Sequence, residues 1–228
     1  MWIDDQVLRN YREPFTAKIF VPDSTMVVLG SGNDEHSEVN LPHCEASRIP
    51  VLRRYGGGGT VVLYPGCVVV SAGCWVSDPY NNSQYFKLLN QAVIDALAAG
   101  DASLAGLSQA GISDITSGEK KIGGTSMFRS RNYLLYQASL LVSLDMDLIK
   151  STLRHPTKEP DYRKGRKHED FLTCLASVSN AKITAVHAAE ILSAQFESAA
   201  RQRLAQTLIA PVESQMPALQ SRLDRHLE

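Results

Sequence analysis

The sequence has few cysteines, and their spacing does not suit a metal site or a disulfide framework. The four are Cys44, Cys67, Cys74 and Cys174, with no CxxC pair among them. In a chain of 228 residues this density argues against stabilisation by disulfides and favours a reducing cytoplasm. The histidines are scattered as well, so we predict no bound metal among the protein side chains.

The chain lacks a surplus of charge of either sign. Its 23 lysines and arginines nearly balance 24 aspartates and glutamates, which leaves a formal net charge of -1. Nucleic-acid binding through a basic coat is therefore not expected, and the few aromatic residues offer no stacking platform. With 44% hydrophobic residues, the chain can build the core of one large domain or of a domain with a small appendage.

No apolar run is long enough to cross a membrane. The longest, residues 60–76, is interrupted by Pro65-Gly66 and is shorter than the ~20 residues that a membrane-spanning helix needs. The segment Met1 to Asp5 carries acids where a signal peptide carries bases. We expect a cytoplasmic protein without a membrane partner, and we expect the long apolar run to form two strands joined by a turn.

Valine-rich segments early in the chain predict strands, and periodic segments later predict helices. Pro22-Asp23-Ser24 predicts a turn that joins two strands in a hairpin. Strands are expected at 17–21, 25–29, 51–55, 60–64, 67–76, 112–115, 120–128 and 133–144, and helices at 82–99, 145–153, 184–208 and 212–228. Strands first and helices late indicate an α+β fold.

A run of four glycines, Gly56 to Gly59, follows Arg53 and Arg54. Such a run lets the main chain approach a ligand closely, and its successive N–H groups can form an anion-binding concavity. Strand alternation places the two arginines on opposite faces, so one of them can reach the glycines and offer forked hydrogen bonds. A flexible turn with two solvated arginines explains the same residues equally well.

A second glycine-containing segment carries a lysine, in the order Lys121-Ile122-Gly123-Gly124-Thr125. A lysine beside small residues can present its ammonium to a ligand and stabilise negative charge on a phosphate or carbonyl oxygen. The residues alone fit a solvated hairpin tip better, because Glu-Lys-Lys beside glycine is common in exposed turns. The loop Glu159 to His168 is basic, and it either covers a ligand, attracts an acidic partner or is simply solvated.

Together, these two segments resemble the motifs of one enzyme family. Arg53-Arg54-x-x-Gly57-Gly58-Gly59, followed by Val61 and Gly66, is similar to the glycine-rich pattern of lipoate–protein ligases and octanoyltransferases. Residues 121–125 are similar to the lysine motif of that family, and Asp114 precedes it in the expected order. The resemblance implies a class II biotin/lipoate ligase-like catalytic domain, with a mixed central β-sheet flanked by helices. We assign residues 1–180 to this domain and residues 181–228 to a helical extension packed on it.

The resemblance also implies chemistry. Ligases of the family activate lipoate with ATP and Mg²⁺ to lipoyl-AMP, and then pass the lipoyl group to a lysine of an acceptor domain. By position, Lys121 would contact the acyl carboxyl and the α-phosphate, and Asp114 would lie near the nucleotide. Arg54 and the glycines Gly57, Gly58 and Gly59 would border the acyl and phosphate groups. Gly124 and Thr125 complete the lysine motif and are assigned to the same substrate-binding set.

Two alternatives within the family remain open. An ATP-independent transferase of octanoate or lipoate would use Cys174 as its nucleophile, although a buried structural cysteine is the simpler interpretation. The other alternative is a noncatalytic lipoyl-binding partner subunit, which would catalyse neither reaction. The chain has Leu63 where many relatives carry histidine, and Gln137-Ala138 where many carry a His-Gly segment. The residues after Leu175 are too few for the accessory domain of some ligases. A partner chain could therefore supply that part.

Overall fold

The computed structural model describes residues 7, 10–156 and 159–224. The strands in these residues are β1 (Phe15–Phe20), β2 (Met26–Leu29), β3 (Val51–Arg53), β4 (Val61–Leu63), β5 (Cys67–Trp75), β6 (Leu107–Ala110), β7 (Asp114–Ser117), β8 (Lys120–Ser130) and β9 (Tyr133–Leu141). The α-helices are α1 (Glu35–Glu38), α2 (Leu41–Ala46), α3 (Asn82–Gly100), α4 (Met146–Thr152), α5 (His168–Phe171), α6 (Leu175–Val178), α7 (Ala185–Leu204) and α8 (Met216–Asp224). The predicted α+β fold is confirmed.

The larger sheet has six strands in the order β1-β5-β9-β8-β7-β6, and each neighbouring pair is antiparallel. Strand β5, the second in this order, is buried along its whole length. A strand covered on both faces needs apolar residues at every position rather than at alternate ones, which explains the uninterrupted run from Cys67 to Trp75. The sequence predicted β8 and β9 but not the short edge strand β6, whose Ser108 and Gln109 carry no strand signal.

The smaller sheet has the order β3-β2-β4, with β2 parallel to β3 and antiparallel to β4. The predicted hairpin between the first two strands is therefore wrong, because β1 pairs with β5 in the larger sheet and β2 belongs to the smaller one. The segment Pro22-Asp23-Ser24 contains a bend, but the strands on its two sides pair with distant strands rather than with each other.

Two long helices cover one face of the larger sheet. Helix α3 begins after Asn81, whose side chain accepts a hydrogen bond from the backbone of Gln84, and α7 is capped in the same way by Thr184. Leu89 of α3 and Leu192 and Phe196 of α7 are fully buried in one apolar cluster with alternate residues of β5. Since α7 shares this cluster, it packs on the sheet; the domain boundary after residue 180 stays a prediction.

The last helix packs against a separate group of aromatic residues. Leu219 and Leu223 of α8 join Tyr55, Trp75 and Tyr133 in a buried cluster. Tyr55 is the residue directly before the glycine run, and its hydroxyl donates a hydrogen bond to the Leu223 carbonyl at 3.0 Å. The sequence predicted a helix over 212–228; α8 begins at residue 216 after a 3₁₀ turn at Glu213–Gln215, and residues 225–228 lie outside the described part.

In the described part of the chain, no helix combines the length and the apolar character that crossing a bilayer requires. The small sheet packs on the opposite face of the large one from α3, through Val28, Leu63 and Val69. This packing leaves an open space between the two sheets near the glycine run.

Candidate functional site

A cleft of about 980 Å³ opens between the two sheets. Gly57, Gly58 and Gly59 line it from the smaller sheet's side, and Asp114, Lys121 and Gly124 line it from β7 and β8. An inner cavity of about 90 Å³ continues from it and is lined by Arg54 and Thr125 in addition. The structure thus gathers all eight sequence-predicted site residues around one connected space.

All four carbonyls of the glycine run accept hydrogen bonds. Arg54 Nη2 donates to Gly57 O at 2.7 Å and to Gly59 O at 2.8 Å, while the Gly56 carbonyl accepts from the backbone of Ser31. Asn33 Nδ2 donates to Gly58 O at 3.0 Å. Gly57, Gly58 and Gly59 line the cleft without side chains of their own, so a ligand can approach their main chain closely. A glycine run of this kind can bind an anion through its N–H groups.

The two arginines diverge as strand alternation predicts. The buried guanidinium of Arg54 holds the glycine run, whereas Arg53 Nη1 donates to Gly30 O at 3.0 Å and to Asn33 O at 2.6 Å on the neighbouring loop. The contacts that the structure shows for Arg54 are therefore with backbone carbonyls. Its position at the inner cavity still places it beside any ligand that enters there.

Close contact fixes the glycine run against the loop after β2. A Cβ on Gly30 would lie 2.2 Å from the Gly58 carbonyl oxygen, and Gly58 has a φ of +93°, so neither position suits another residue. Asn33 and Thr60 both hydrogen bond to the Glu38 carboxylate. This polar group was not identified from the sequence, because Thr60 lies 22 positions from Glu38 and the three residues carry no motif.

Lys121 forms an ion pair with Asp114 at the junction of the cleft and the inner cavity. Lys121 Nζ lies 2.8 Å from Asp114 Oδ1, and the lysine side chain is 25% exposed, against 9% for the aspartate. The other carboxylate oxygen accepts a hydrogen bond of 2.7 Å from the Tyr162 hydroxyl. An ammonium group has three donors, so the pair leaves Lys121 able to bind a further anion.

A β-bulge brings the two charged side chains to the same face. Asp114 pairs with Gly124 and Thr116 pairs with Lys121, with a register shift between Ile115 and Thr116. In a regular strand, positions 121 and 124 would point to opposite faces. The extra residue in β8 corrects this, so that Lys121 and Asp114 meet. Gly124 then leaves room for them, since a Cβ there would lie 3.0 Å from Lys121 Nζ.

The inner cavity combines an apolar wall with a polar mouth. Val28, Leu63 and Val69 form much of the wall, and Gln137 and Ala138 lie beside them. The positions where the resemblance implied a histidine and a His-Gly segment, Leu63 and Gln137-Ala138, therefore line this cavity. An apolar wall that meets a cation suits a ligand with an apolar part and a carboxylate.

The basic loop lines the outer wall of the cleft. Pro160, Tyr162, Arg163 and His168 contribute to it, so of the three interpretations of this loop the structure favours a cover for a ligand. Glu159 holds the loop together through an ion pair of 3.2 Å with Arg163 Nε. Burial, followed by the nearby positive charges, lowers the pKa of His168 to about 4, so this side chain is neutral at physiological pH.

All four cysteines are buried. Cys174 is buried at the start of α6, where its thiol contacts Ser177 Oγ at 3.2 Å, and it lines neither the cleft nor the inner cavity. Cys67 does line the cleft, but burial raises the pKa of its thiol to about 11, which keeps it protonated. Among the described residues, no group of three or more His, Cys, Asp or Glu side chains could hold a metal ion.

Comparison with known proteins identifies relatives of this site. Residues 1–197 match the family described as the lipoyl protein ligase A/B catalytic domain. Lipoate–protein ligase 1 of Staphylococcus aureus is 26% identical over 160 residues, which are 68% of this chain and 46% of that protein. Lipoate-protein ligase A subunit 1 of Thermoplasma acidophilum is 29% identical over 163 residues, 68% of this chain and 58% of that one. The chain thus spans about half the length of these relatives.

Solved structures share the fold. A bipartite lipoate–protein ligase from Thermoplasma acidophilum superposes with a TM-score of 0.71 at 21% identity, covering 86% of this chain and 76% of that one. A lipoate–protein ligase A bound with ATP gives a TM-score of 0.69 at 22% identity, covering 86% and 77%. At such identities the likeness concerns the fold alone. The family match over most of the chain carries the assignment: this protein belongs to the lipoyl protein ligase A/B catalytic domain family.

Proposed function

We propose that the protein activates lipoate with ATP to lipoyl-AMP and transfers the lipoyl group to a lysine of an acceptor domain. The observation that carries the proposal is the shared cleft, in which the Lys121 ammonium and the glycine run line one space. Condensing a carboxylate with a triphosphate brings several anions together, so the reaction needs a cation and backbone donors at the same place. The cleft offers both.

In the first step, a carboxylate oxygen of lipoate attacks the α-phosphorus of ATP, and pyrophosphate leaves. Lys121 would balance the negative charge that the two reacting groups bring together, and the N–H groups of Gly57 to Gly59 would bind phosphate oxygens. In the second step, the neutral amine of the acceptor lysine attacks the acyl carbonyl, AMP leaves, and the amine loses a proton. Asp114 keeps the Lys121 ammonium at the point where the acyl and phosphate groups would meet.

Part of the acyl chain would enter the inner cavity, which meets the cleft at Lys121 and Gly124 and has Val28, Leu63 and Val69 along its wall. Mg²⁺ would arrive with the triphosphate, because the described residues provide no carboxylate cluster to hold it beforehand. The ATP-bound neighbour supports a nucleotide in this fold. The transferase alternative gains no support, since Cys174 lies away from both cavities.

The names of two similar proteins support a partner chain. One relative is called subunit 1, and the neighbour from the same organism is described as bipartite. We propose that a second chain supplies the accessory part during transfer to the acceptor domain, and we assign the activation of lipoate to the cleft of this chain.

The test is the exchange of labelled pyrophosphate into ATP, with lipoate, octanoate and biotin offered in turn. Lipoate should support exchange best. Lys121→Ala should slow it by about 10²-fold or more, as the loss of an oxyanion-type donor does. Lys120→Ala is the matched control, because Lys120 is the exposed neighbour on the same strand and lines neither cavity. Absence of exchange with all three acids, or full activity of a folded Lys121→Ala variant, would contradict the proposal.

A further inference from the structure

The Tyr162 hydroxyl is the second anchor of the Asp114 carboxylate. Asp114 Oδ1 lies 2.8 Å from Lys121 Nζ, and Asp114 Oδ2 lies 2.7 Å from the Tyr162 hydroxyl. The last torsion of an aspartate is broad, so an ion pair through one oxygen alone leaves the carboxylate plane free to turn. A donor on the other oxygen fixes that plane, and with it the direction in which the ammonium points.

Several contacts that do not involve the Tyr162 hydroxyl hold its loop, residues 159–168, in place. Arg163 and Arg166 lie over the Phe171 ring, with Cζ 4.8 Å and 5.2 Å from its centroid, and the Tyr162 ring packs on it at 5.3 Å. The Gly165 N–H donates to Glu159 Oε1 at 2.7 Å. These contacts survive the removal of one oxygen atom. The hydroxyl can therefore be tested apart from the loop.

We propose that Tyr162 is a positioning residue, which acts through Asp114 to aim the Lys121 ammonium at the reacting groups. The inference rests on the proposed activation of a carboxylate at Lys121 and adds the residue that orients it. Burial, together with the charge of Asp114, raises the pKa of Tyr162, so its hydroxyl keeps its proton and donates. Tyr162 also belongs to the loop that lines the cleft, so the aim of Lys121 depends on the loop being in place.

The kinetic test compares Tyr162→Phe, Asp114→Asn and the double variant in the exchange assay on the full chain. Tyr162→Phe should lower kcat about tenfold, the value of one hydrogen bond to a charged group, and change KM for either substrate by less than about twofold. In the Asp114→Asn background the same substitution should have no further effect, because the two residues act as one unit. Tyr80→Phe, at an exposed tyrosine outside the cleft, should match the wild type.

A second measurement does not depend on activity. Trace acetylation of the folded protein, read by mass spectrometry, gives the labelling of Lys121 relative to Lys120. Tyr162→Phe should raise this ratio about threefold as the ion pair loosens. An unchanged ratio, or an effect of Tyr162→Phe that simply adds to that of Asp114→Asn, would overturn the inference. If the wild type exchanges no pyrophosphate with any acid, the proposed function fails, and the labelling ratio still decides the role of Tyr162.

Discussion

Replacing Gly124 by alanine tests whether the position of the Lys121 ammonium matters to the reaction. A Cβ at this position would lie 3.0 Å from Lys121 Nζ, 3.3 Å from its Cε and 3.7 Å from Asp114 Oδ1. Gly124 does not have a positive φ, so the backbone accepts alanine without strain. The nearest atoms belong to the end of the flexible Lys121 side chain, which can move away from the added methyl group. The free energy of unfolding should therefore change by less than about 1 kcal/mol.

The displacement of the Lys121 ammonium should nevertheless reduce activity. An ordinary van der Waals contact requires Lys121 Nζ to move by roughly half an ångström, and a misplacement of 1 Å can cost about 10²-fold in rate. We expect lipoate-dependent pyrophosphate exchange to fall about tenfold, with urea unfolding close to that of the wild type. Exchange within about twofold of the wild-type rate, in a folded variant, would refute the reasoning.

Two other glycines provide controls. At Gly123 a Cβ would lie 2.6 Å from the backbone oxygen of Ser139 and 2.5 Å from Leu140 Cδ2, and these atoms belong to the neighbouring strand. Gly123→Ala should therefore destabilise the fold by about 1–3 kcal/mol. At Gly106 a Cβ would meet nothing within 4 Å, so alanine there should leave both stability and exchange unchanged. The three variants separate an effect on the site from an effect on folding.

Three further outcomes are expected. Cys174→Ser should retain exchange within about twofold, since its thiol lies outside both cavities; an acylated Cys174 thiol in a wild type that exchanges no pyrophosphate would establish the transferase instead. Gly30→Ala should lower stability in urea by about 1–3 kcal/mol, because its Cβ would overlap the Gly58 carbonyl. His168 has its pKa lowered from 6.5 to about 4, so the unfolded chain takes up a proton between these values while the folded chain does not. Stability should fall as the pH drops through that window, and His168→Gln, compared by urea unfolding at pH 7 and pH 5, should reduce the fall.

Local signals in the sequence were sufficient to predict the position of two long elements, α3 and β5. Helix α3 and strand β5 carry unambiguous patterns over 19 and 9 residues, and both were predicted within one residue at each end. Strand pairing was not predictable in the same way. The turn at Pro22-Asp23-Ser24 indicated a hairpin, but which strands pair is decided by distant apolar surface, and β1 lies beside β5 instead.

The residues of the site were predicted from motifs, but their arrangement was not. Alternation correctly separated Arg53 from Arg54. The bulge between Ile115 and Thr116 reverses the face on which Lys121 would otherwise lie, and no residue in the sequence marks it. Tyr162 was also missed, since a tyrosine in a basic loop has no distinctive spacing relative to Asp114, 48 residues before it.

The inner cavity lies between two sheets that share no strand. A molecule that fills it would contact Val28 and Leu63 on one side and Val69 on the other, and would thereby stabilise the packing of the two sheets. Lipoate should therefore raise the melting temperature even of variants that can no longer carry out the chemistry. Ligand occupancy could then be followed by heating alone, in Lys121→Ala as well as in the wild type.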